Sequence, residues 1–590
     1  VLLLVCVPAA LWIACWPFAD SPVNDDFSYA FTVKRLLETG RLTYNGWGSP
    51  MLGPQALWGA AFAYVMGFSH DALRFSMLPV SIGCAALTYT LHRRLDISPA
   101  LSLFATLLLV GSPLFTAWSA SFMNDVPGLL FTLMLFHSVI GAMKQQDAYG
   151  VMKSCLLIVL VGVVGGTVRQ SVFVMAFAAL CVALLRHRQD RRTAIGLVVT
   201  IFVYLTAVVL LAAWHARQPY TLVELWPTLA QMYERSAIWT FAFFLELGLY
   251  LLPLGLVLIR IAPLSRKVMT SLGIAFLSIS FALDAWAPDS VVAALFRGLW
   301  IGNTVTPNGL LDSEYDAPGF RPIVFGNSLR LILGAAVFWQ LSILLLSIRA
   351  KRSELAGAWR TFRVARMSDL GWTRAALLLM GGAYIMLLIP RAALPMLFDR
   401  YLLVVLPLAT VLSLTIATRS LANRSIPKVA WILLSAYVWV GFACTRDHFA
   451  ELRLREHIAS EFDRDGIGRT ELANGLASDA WTQLLSTGYI NDSRIRQPVS
   501  AIVMGLDPQR TKWFWFLNHT PAMKPRYVAS NWPTKPSSRP GTRVYTYTAL
   551  MPPFERWIVV WPVNSTTAAT GPLPGPETAK ETPAAGGRAE

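Results

Sequence analysis

The chain has 590 residues, 55% of them hydrophobic and only 14% charged, with a mean hydropathy of +0.51. That composition excludes a soluble globular protein of this size and selects a membrane protein. The formal net charge of +16 would suit nucleic acid, but Lys and Arg fall in short clusters between apolar runs, so no nucleic-acid partner is expected.

Apolar runs lie near 1–19, 54–68, 72–91, 99–118, 125–143, 154–168, 171–185, 194–214, 237–259, 268–286, 328–348, 374–390, 400–418 and 429–444, fourteen candidate spans. Residues 1–19 read as a retained first helix, because no small-x-small cleavage site stands out. The six cysteines (Cys6, Cys15, Cys84, Cys155, Cys181, Cys444) sit in or beside apolar runs without metal-ligand spacing, which supports neither a disulfide framework nor a zinc site.

Basic clusters at Arg93-Arg94, Lys144 to Lys153, Arg186 to Arg192, Arg260 to Lys267, Arg349 to Arg374 and Arg419 to Lys428 mark cytoplasmic loops. They alternate consistently only if 54–68 does not span. That run is short and carries Gly53, Pro54, Gln55, Gly59 and Gly67, so it reads as a juxtamembrane or re-entrant segment. About thirteen transmembrane helices remain, with the N-terminus inside. The first outer loop (20–71), Asp125, the 215–236 loop, the long 287–327 loop and Asp399-Arg400 then share the outer side.

Residues 445–564 are richer in charge. A helical period covers 447–464, and short strands are expected at 526–530, 543–547 and 557–561, which together form a small extracytoplasmic α/β domain. The tail, 565–590, is rich in Pro, Ala, Gly and Thr and is expected to be disordered.

Asn24-Asp25-Asp26-Phe27-Ser28-Tyr29 follows the first apolar run directly. Asn24 suits an N-cap, and Phe27, Ala30, Phe31, Val33 and Leu37 suit one face of a short helix lying on the membrane. Asp25 and Asp26 then either complement the helix dipole or form a reaction centre, with Tyr29 one turn from Asp25. Asp125, before Pro127, opens a second outer helix and has the same two readings. Arg169 and Arg400 stand at outer helix ends, each either in a structural pair, with Asp399 the neighbour of Arg400, or holding a phosphate. Arg297, Arg321, Asp312, Glu314 and Asp316 fall in the long outer loop, where no roles are assigned.

The chain lacks the phosphate-binding and dinucleotide-binding glycine patterns and the H-E-x-x-H metal motif. An enzyme of this kind would take its activated group from a phosphate-bearing membrane lipid. Asp25-Asp26-x-x-Tyr29-Ala30, Asn124-Asp125-Val126-Pro127 and Phe398-Asp399-Arg400-Tyr401-Leu402-Leu403 resemble motifs of GT-C-fold membrane glycosyltransferases. The likeness is to bacterial members of the protein O-mannosyltransferase and aminoarabinose transferase group, although this chain has Gly53-Pro54-Gln55 where relatives often have Lys-Pro-Pro.

The resemblance implies transfer of a sugar, with inversion, from a polyprenyl-phosphate donor to a hydroxyl of a glycan, lipid or protein acceptor. The site would face outward from the inner (plasma) membrane. It implies Asp25 as general base with Asp26 beside it, Asp125 assisting, and Arg400, Tyr401 and Arg169 near the donor phosphate. No metal ligands are assigned, and a divalent ion is left open. A transporter or lipid flippase is the alternative, and it predicts mid-membrane charges and internal repeats. A structural membrane subunit would leave Asp25 and Asp125 replaceable.

Overall fold

Proline and glycine decide where this largely helical chain breaks. The computed structural model describes residues 2–222, 226–261, 264–287, 290, 293, 296, 302–311, 319, 321–350, 368–394, 397–421, 425–490, 519–532, 534–536 and 541–562. Arg297, Asp312, Glu314, Asp316 and the 565–590 tail lie outside them. The membrane part begins with α1 (Leu2–Cys15), α2 (Asp26–Thr39), α3 (Gly53–Met66), α4 (His70–Phe75), α5 (Met77–Arg94), α6 (Pro99–Val110) and α7 (Pro113–Ser119). It continues with α8 (Asp125–Lys144), α9 (Ala148–Val168), α10 (Ser171–His187), α11 (Arg191–Ala216), α12 (Leu229–Tyr250), α13 (Leu252–Leu258) and α14 (Arg266–Trp286). A two-stranded hairpin, β1 (Val305–Thr306) and β2 (Gly309–Leu310), precedes α15 (Asn327–Ala350), α16 (Asp369–Ala393), α17 (Leu402–Leu421) and α18 (Lys428–Arg464).

Among the described residues, eight helices are long and apolar enough to cross a membrane, or up to ten if two bent pairs each count as one span. The chain is therefore a polytopic helical membrane protein. The runs at 99–118 and 237–259, which read as single spans, are helix pairs bent by 61° and 68°. Pro113 and Pro253 stand in the first turn of the second member of each pair. At the first break Ser112 Oγ accepts the Phe115 N–H at 3.2 Å, so α7 starts afresh under its own cap. The 54–68 segment forms α3, which is absent from the spanning set.

The expected division between a last span ending at 444 and an outer helix starting at 447 is bridged by one helix, α18, of 37 residues. Nothing in Cys444-Thr445-Arg446-Asp447 breaks a helix. At 1.5 Å per residue α18 is roughly 55 Å long, well beyond the ~30 Å of a hydrocarbon core, so one end stands outside the membrane. That end carries a separate α/β domain, the expected outer domain. Its sheet runs β3-β4-β6-β5, with β3 (Leu472–Ala473) parallel to β4 (Tyr527–Trp532). β6 (Glu555–Pro562) pairs antiparallel with both β4 and β5 (Arg543–Thr548). Ile458, Ala459 and Phe462 of α18 pack on Leu472, Ala529, Ile558 and Val560 of the sheet. The three strands read from sequence are present, and β3 is an addition.

The helix after the first apolar run departs from expectation. α2 does not lie on lipid by one apolar face. Phe27 and Phe31 pack with Leu476, Ala480 and Leu484 of α19 (Leu476–Thr487) in the outer domain, while Tyr29, Ala30 and Val33 join the membrane core. Leu37 is exposed. The stretch Asp26–Val33 is sandwiched between the two parts of the molecule and buried on both sides.

α19 is held at its start by Asp479, whose Oδ1 accepts the Asn474 N–H at 2.8 Å. Burial pushes this carboxyl up to about 7, against the Asn474 and Gly475 N–H groups and Arg455. The folded state therefore holds a proton that the unfolded chain has released above pH ~4. The contribution to stability is full below that pH and is lost as pH rises through about 7. Amide exchange in α19 should accelerate over this window, and Asp479→Asn should flatten the dependence; an unchanged slope in the variant would acquit Asp479. For topology, thiol labelling from outside should reach Thr39→Cys and Ser486→Cys alike and miss Tyr149→Cys. Labelling of the first two from opposite sides would overturn the shared outer face.

Candidate active site

The local backbone decides which carboxylate joins the cluster with Arg400. Asn24 adopts φ 52° and its Oδ1 accepts the Asp25 N–H at 2.9 Å. Asp25, not Asn24, takes the N-cap position of α2, and its side chain makes no capping bond. The carboxylate is thus free to point elsewhere. Asp25 Oδ1 accepts the Trp47 indole N–H at 2.8 Å, and Oδ2 stands 3.6 Å from Arg400. The side chain keeps 26% exposure, so it is open to an incoming group.

Asp26 turns away from this cluster. Its Oδ1 accepts the Val23 N–H at 2.7 Å and its Oδ2 the Phe122 N–H at 3.2 Å. Burial pushes its carboxyl up to about 6, against Arg74 and those two N–H groups. The residue ties the first acidic loop to the second. Gln55 Nε2 reinforces the tie by donating to the Phe122 carbonyl at 2.8 Å.

Asp125 begins α8 and is buried. Its neighbour Asn124 donates through Nδ2 to the Val168 carbonyl at 3.0 Å, drawing the end of α9 close. Asp125 Oδ1 then meets Arg169 at 2.5 Å, while Oδ2 lacks a hydrogen-bond partner. Gly128 leaves room for the arginine: a Cβ there would fall 2.6 Å from Arg169 Cδ.

Asp399 is committed to another partner, so it is not the mate of Arg400. It is fully buried, and it accepts from the Thr304 N–H at 2.9 Å, the Thr304 hydroxyl at 2.7 Å and the Val305 N–H at 2.7 Å. Trp118 Nε1 donates to the same hydroxyl at 2.8 Å. The Arg400 guanidinium stacks instead over Phe398 (4.9 Å) and Trp118 (5.5 Å) and reaches Asp25. Around the Tyr401 ring lie Arg169 at 5.2 Å, Arg391 at 5.8 Å and Arg400 at 6.0 Å. Tyr384 fixes this turn by donating its hydroxyl to the Tyr401 carbonyl at 2.9 Å.

Tyr29 is buried and interacts electrostatically with Asp25, Arg400, Asp125 and Arg169 together. Burial first, then Asp25, raises its phenol, so it stays protonated and able to donate. Gly48 permits that placement, since a Cβ there would lie 2.9 Å from the ring.

Six residues singled out in the sequence therefore converge: Asp25, Tyr29, Asp125, Arg169, Arg400 and Tyr401. Asp26 is adjacent but faces the backbone. Sequence reading missed Trp47 and Arg391. The only signals were a Trp between two glycines in an outer loop and an Arg after Pro390 near a helix end. Among the described residues, no group of three His, Cys, Asp or Glu side chains is placed to hold a metal ion.

Residues 50–216 match the model of the family described as dolichyl-phosphate-mannose-protein mannosyltransferase. This chain is similar to GT-C membrane glycosyltransferases. The matched stretch contains Asp125 and Arg169 and leaves Asp25 and Arg400 outside. No curated protein matches the chain. Among solved structures, ArnT from Cupriavidus metallidurans bound to undecaprenyl phosphate is 10% identical, with a TM-score of 0.37 over 95% of this chain and 97% of that one. Its apo form is 12% identical with a TM-score of 0.33 over the same shares. An oligosaccharyltransferase from Archaeoglobus fulgidus, in complex with Zn and sulfate, is 13% identical with a TM-score of 0.33 over 79% of this chain and 57% of that one. TM-scores this low establish neither fold nor function.

Removing Asp399 tests what holds Arg400 in place. Asp399→Ala leaves the buried Thr304 and Val305 N–H groups unpaired, at about 1–3 kcal/mol each. The variant should lose roughly 2–5 kcal/mol of stability in detergent, read by thermal or denaturant unfolding. A loss within error of zero would mean that the Thr304–Val305 segment finds other acceptors.

Proposed function

We propose that this protein transfers a sugar from a polyprenyl-phosphate donor to an acceptor hydroxyl on the extracytoplasmic face of the inner membrane, inverting the anomeric carbon. The observation that carries the reading is the Asp25 carboxylate: released from capping, partly exposed and 3.6 Å from Arg400. The family match over 50–216 supports the reaction class.

In this reading Asp25 accepts the proton of the acceptor hydroxyl as its oxygen attacks the anomeric carbon. The bond from that carbon to the phosphate oxygen breaks on the opposite face, and the lipid phosphate leaves with the electron pair. Arg400, Arg169 and Arg391, gathered round Tyr401, meet the charge that develops on the phosphate. Their planar forks suit phosphate oxygens, and the surrounding aromatic faces keep them in place with little water. Asp125 orients Arg169 through the 2.5 Å contact. Asp26 positions the loop that carries Asp25, and Tyr29 donates its phenol to the substrate. A transporter requires a charge path across the membrane. Here the charges gather at helix ends in one cluster, which favours transfer chemistry.

The test is a panel of undecaprenyl-phosphate-linked hexoses and pentoses offered to the purified protein with cell-envelope extract as acceptor. Asp25→Asn should reduce transfer by about 10²–10⁴-fold at unchanged membrane insertion. Arg400→Ala should reduce it by about 10²–10³-fold. Full transfer by both Asp25→Asn and Asp125→Asn would remove this site from the reaction.

A further inference from the structure

An indole N–H donates a hydrogen bond and cannot accept one. The contact of Trp47 Nε1 with Asp25 Oδ1 at 2.8 Å therefore fixes one carboxylate oxygen without offering it a proton acceptor. Oδ2, on the Arg400 side, is left to face an incoming hydroxyl.

Trp47 is held from two sides. On the membrane side, Asn45 exchanges hydrogen bonds with Ser28 of α2: Ser28 Oγ donates to Asn45 Oδ1, and Asn45 Nδ2 donates to the Ser28 carbonyl, both at 2.8 Å. The Gly46 N–H donates to the Tyr220 carbonyl at 2.8 Å, and Gln170 Nε2 donates to the Ser49 carbonyl at 3.1 Å. From the outer domain, the Ile490 N–H donates to the Asn45 carbonyl at 2.7 Å. The His519 ring meets the indole edge-on, with centroids 5.8 Å apart and planes at 69°. Phe27 closes the remaining side at 6.0 Å.

We infer that Trp47 is a positioning residue for Asp25, and that the outer domain, through Ile490 and His519, seats Trp47. The outer domain is then a working part of the active site. This rests on the reading of Asp25 as the base, so the experiment separates the two. Trp47→Phe keeps the ring and removes only the N–H, and His519→Leu removes the outer-domain brace.

Two readouts are taken on the full-length protein. The first needs no substrate: carbodiimide labelling of Asp25, followed by peptide mass spectrometry. Losing the indole N–H frees Oδ1 and opens it to the reagent, so Asp25 should be labelled several-fold faster in Trp47→Phe, and His519→Leu should move the same way by less. The second is transfer with whichever undecaprenyl-phosphate sugar of the panel is used. Here kcat should fall by about 10–100-fold in Trp47→Phe with the donor KM within about twofold, because only the geometry of the base has changed. Wild-type labelling or wild-type kcat in Trp47→Phe overturns the role of Trp47. Wild-type behaviour of His519→Leu overturns the role of the outer domain. Retained transfer in Asp25→Asn would instead overturn the reaction reading, while the labelling result would still report whether Trp47 governs the carboxylate.

Discussion

The arrangement of the candidate site depends on the commitment of Asp399 to the backbone of a distant loop. A buried carboxylate next to an arginine in sequence would normally be its partner. Here the Asp399 oxygens are filled by donors from Thr304 and Val305, each at 3.1 Å or closer. That choice anchors the β1–β2 hairpin to the turn before α17 and leaves the neighbouring guanidinium to reach across to Asp25. A simple Asp399–Arg400 pair would satisfy both charges locally and leave Asp25 without its cation.

The resulting cluster carries Asp25 and Asp125 against Arg169, Arg391 and Arg400, an excess of one positive charge. Burying such a set is costly unless each member finds a partner. Asp125 and Arg169 satisfy each other at 2.5 Å, whereas Asp25 and Arg400 remain 3.6 Å apart with the carboxylate partly open. The first pair is tight and reads as scaffold; the second is loose and reads as the working edge. Stacking over Phe398, Trp118 and Tyr401 supports Arg400 without consuming the donors a phosphate would use.

Much of this was legible in the sequence because charge obeys the membrane. Alternation of the basic loops put Asp25, Asp125 and Arg400 on one side before any contact was known, and the structure brings those residues together. The apolar runs became helices, but among the described residues eight to ten qualify as spans against about thirteen expected, and two runs are bent pairs. What stayed hidden depended on partners far away in the chain. Asp26 looked equivalent to Asp25, yet its acceptors are taken by the Val23 and Phe122 N–H groups, and nothing at positions 25 and 26 records which one turns inward. The shift of the cap from Asn24 to Asp25 rests on one left-handed residue. The continuity of α18 was missed because a change in composition was taken for a change in structure.

The sandwiched position of α2 gives the outer domain its significance. Residues on opposite faces of this one short helix serve two environments: Phe27 and Phe31 belong to the contact with α19, and Tyr29 and Val33 to the membrane core. Asp25 stands at the start of that helix, so any rotation or tilt that the outer domain imposes on α2 is felt at the carboxylate. A domain that only floated above the membrane would have no such lever. α18 runs without a break from the span Lys428–Cys444 into the outer sheet, which makes the lever rigid. The same continuity explains why Asp25 can sit at the end of a loop and still be held firmly. The loop is short, and both of its supports, the membrane bundle and the outer sheet, are fixed to one helix.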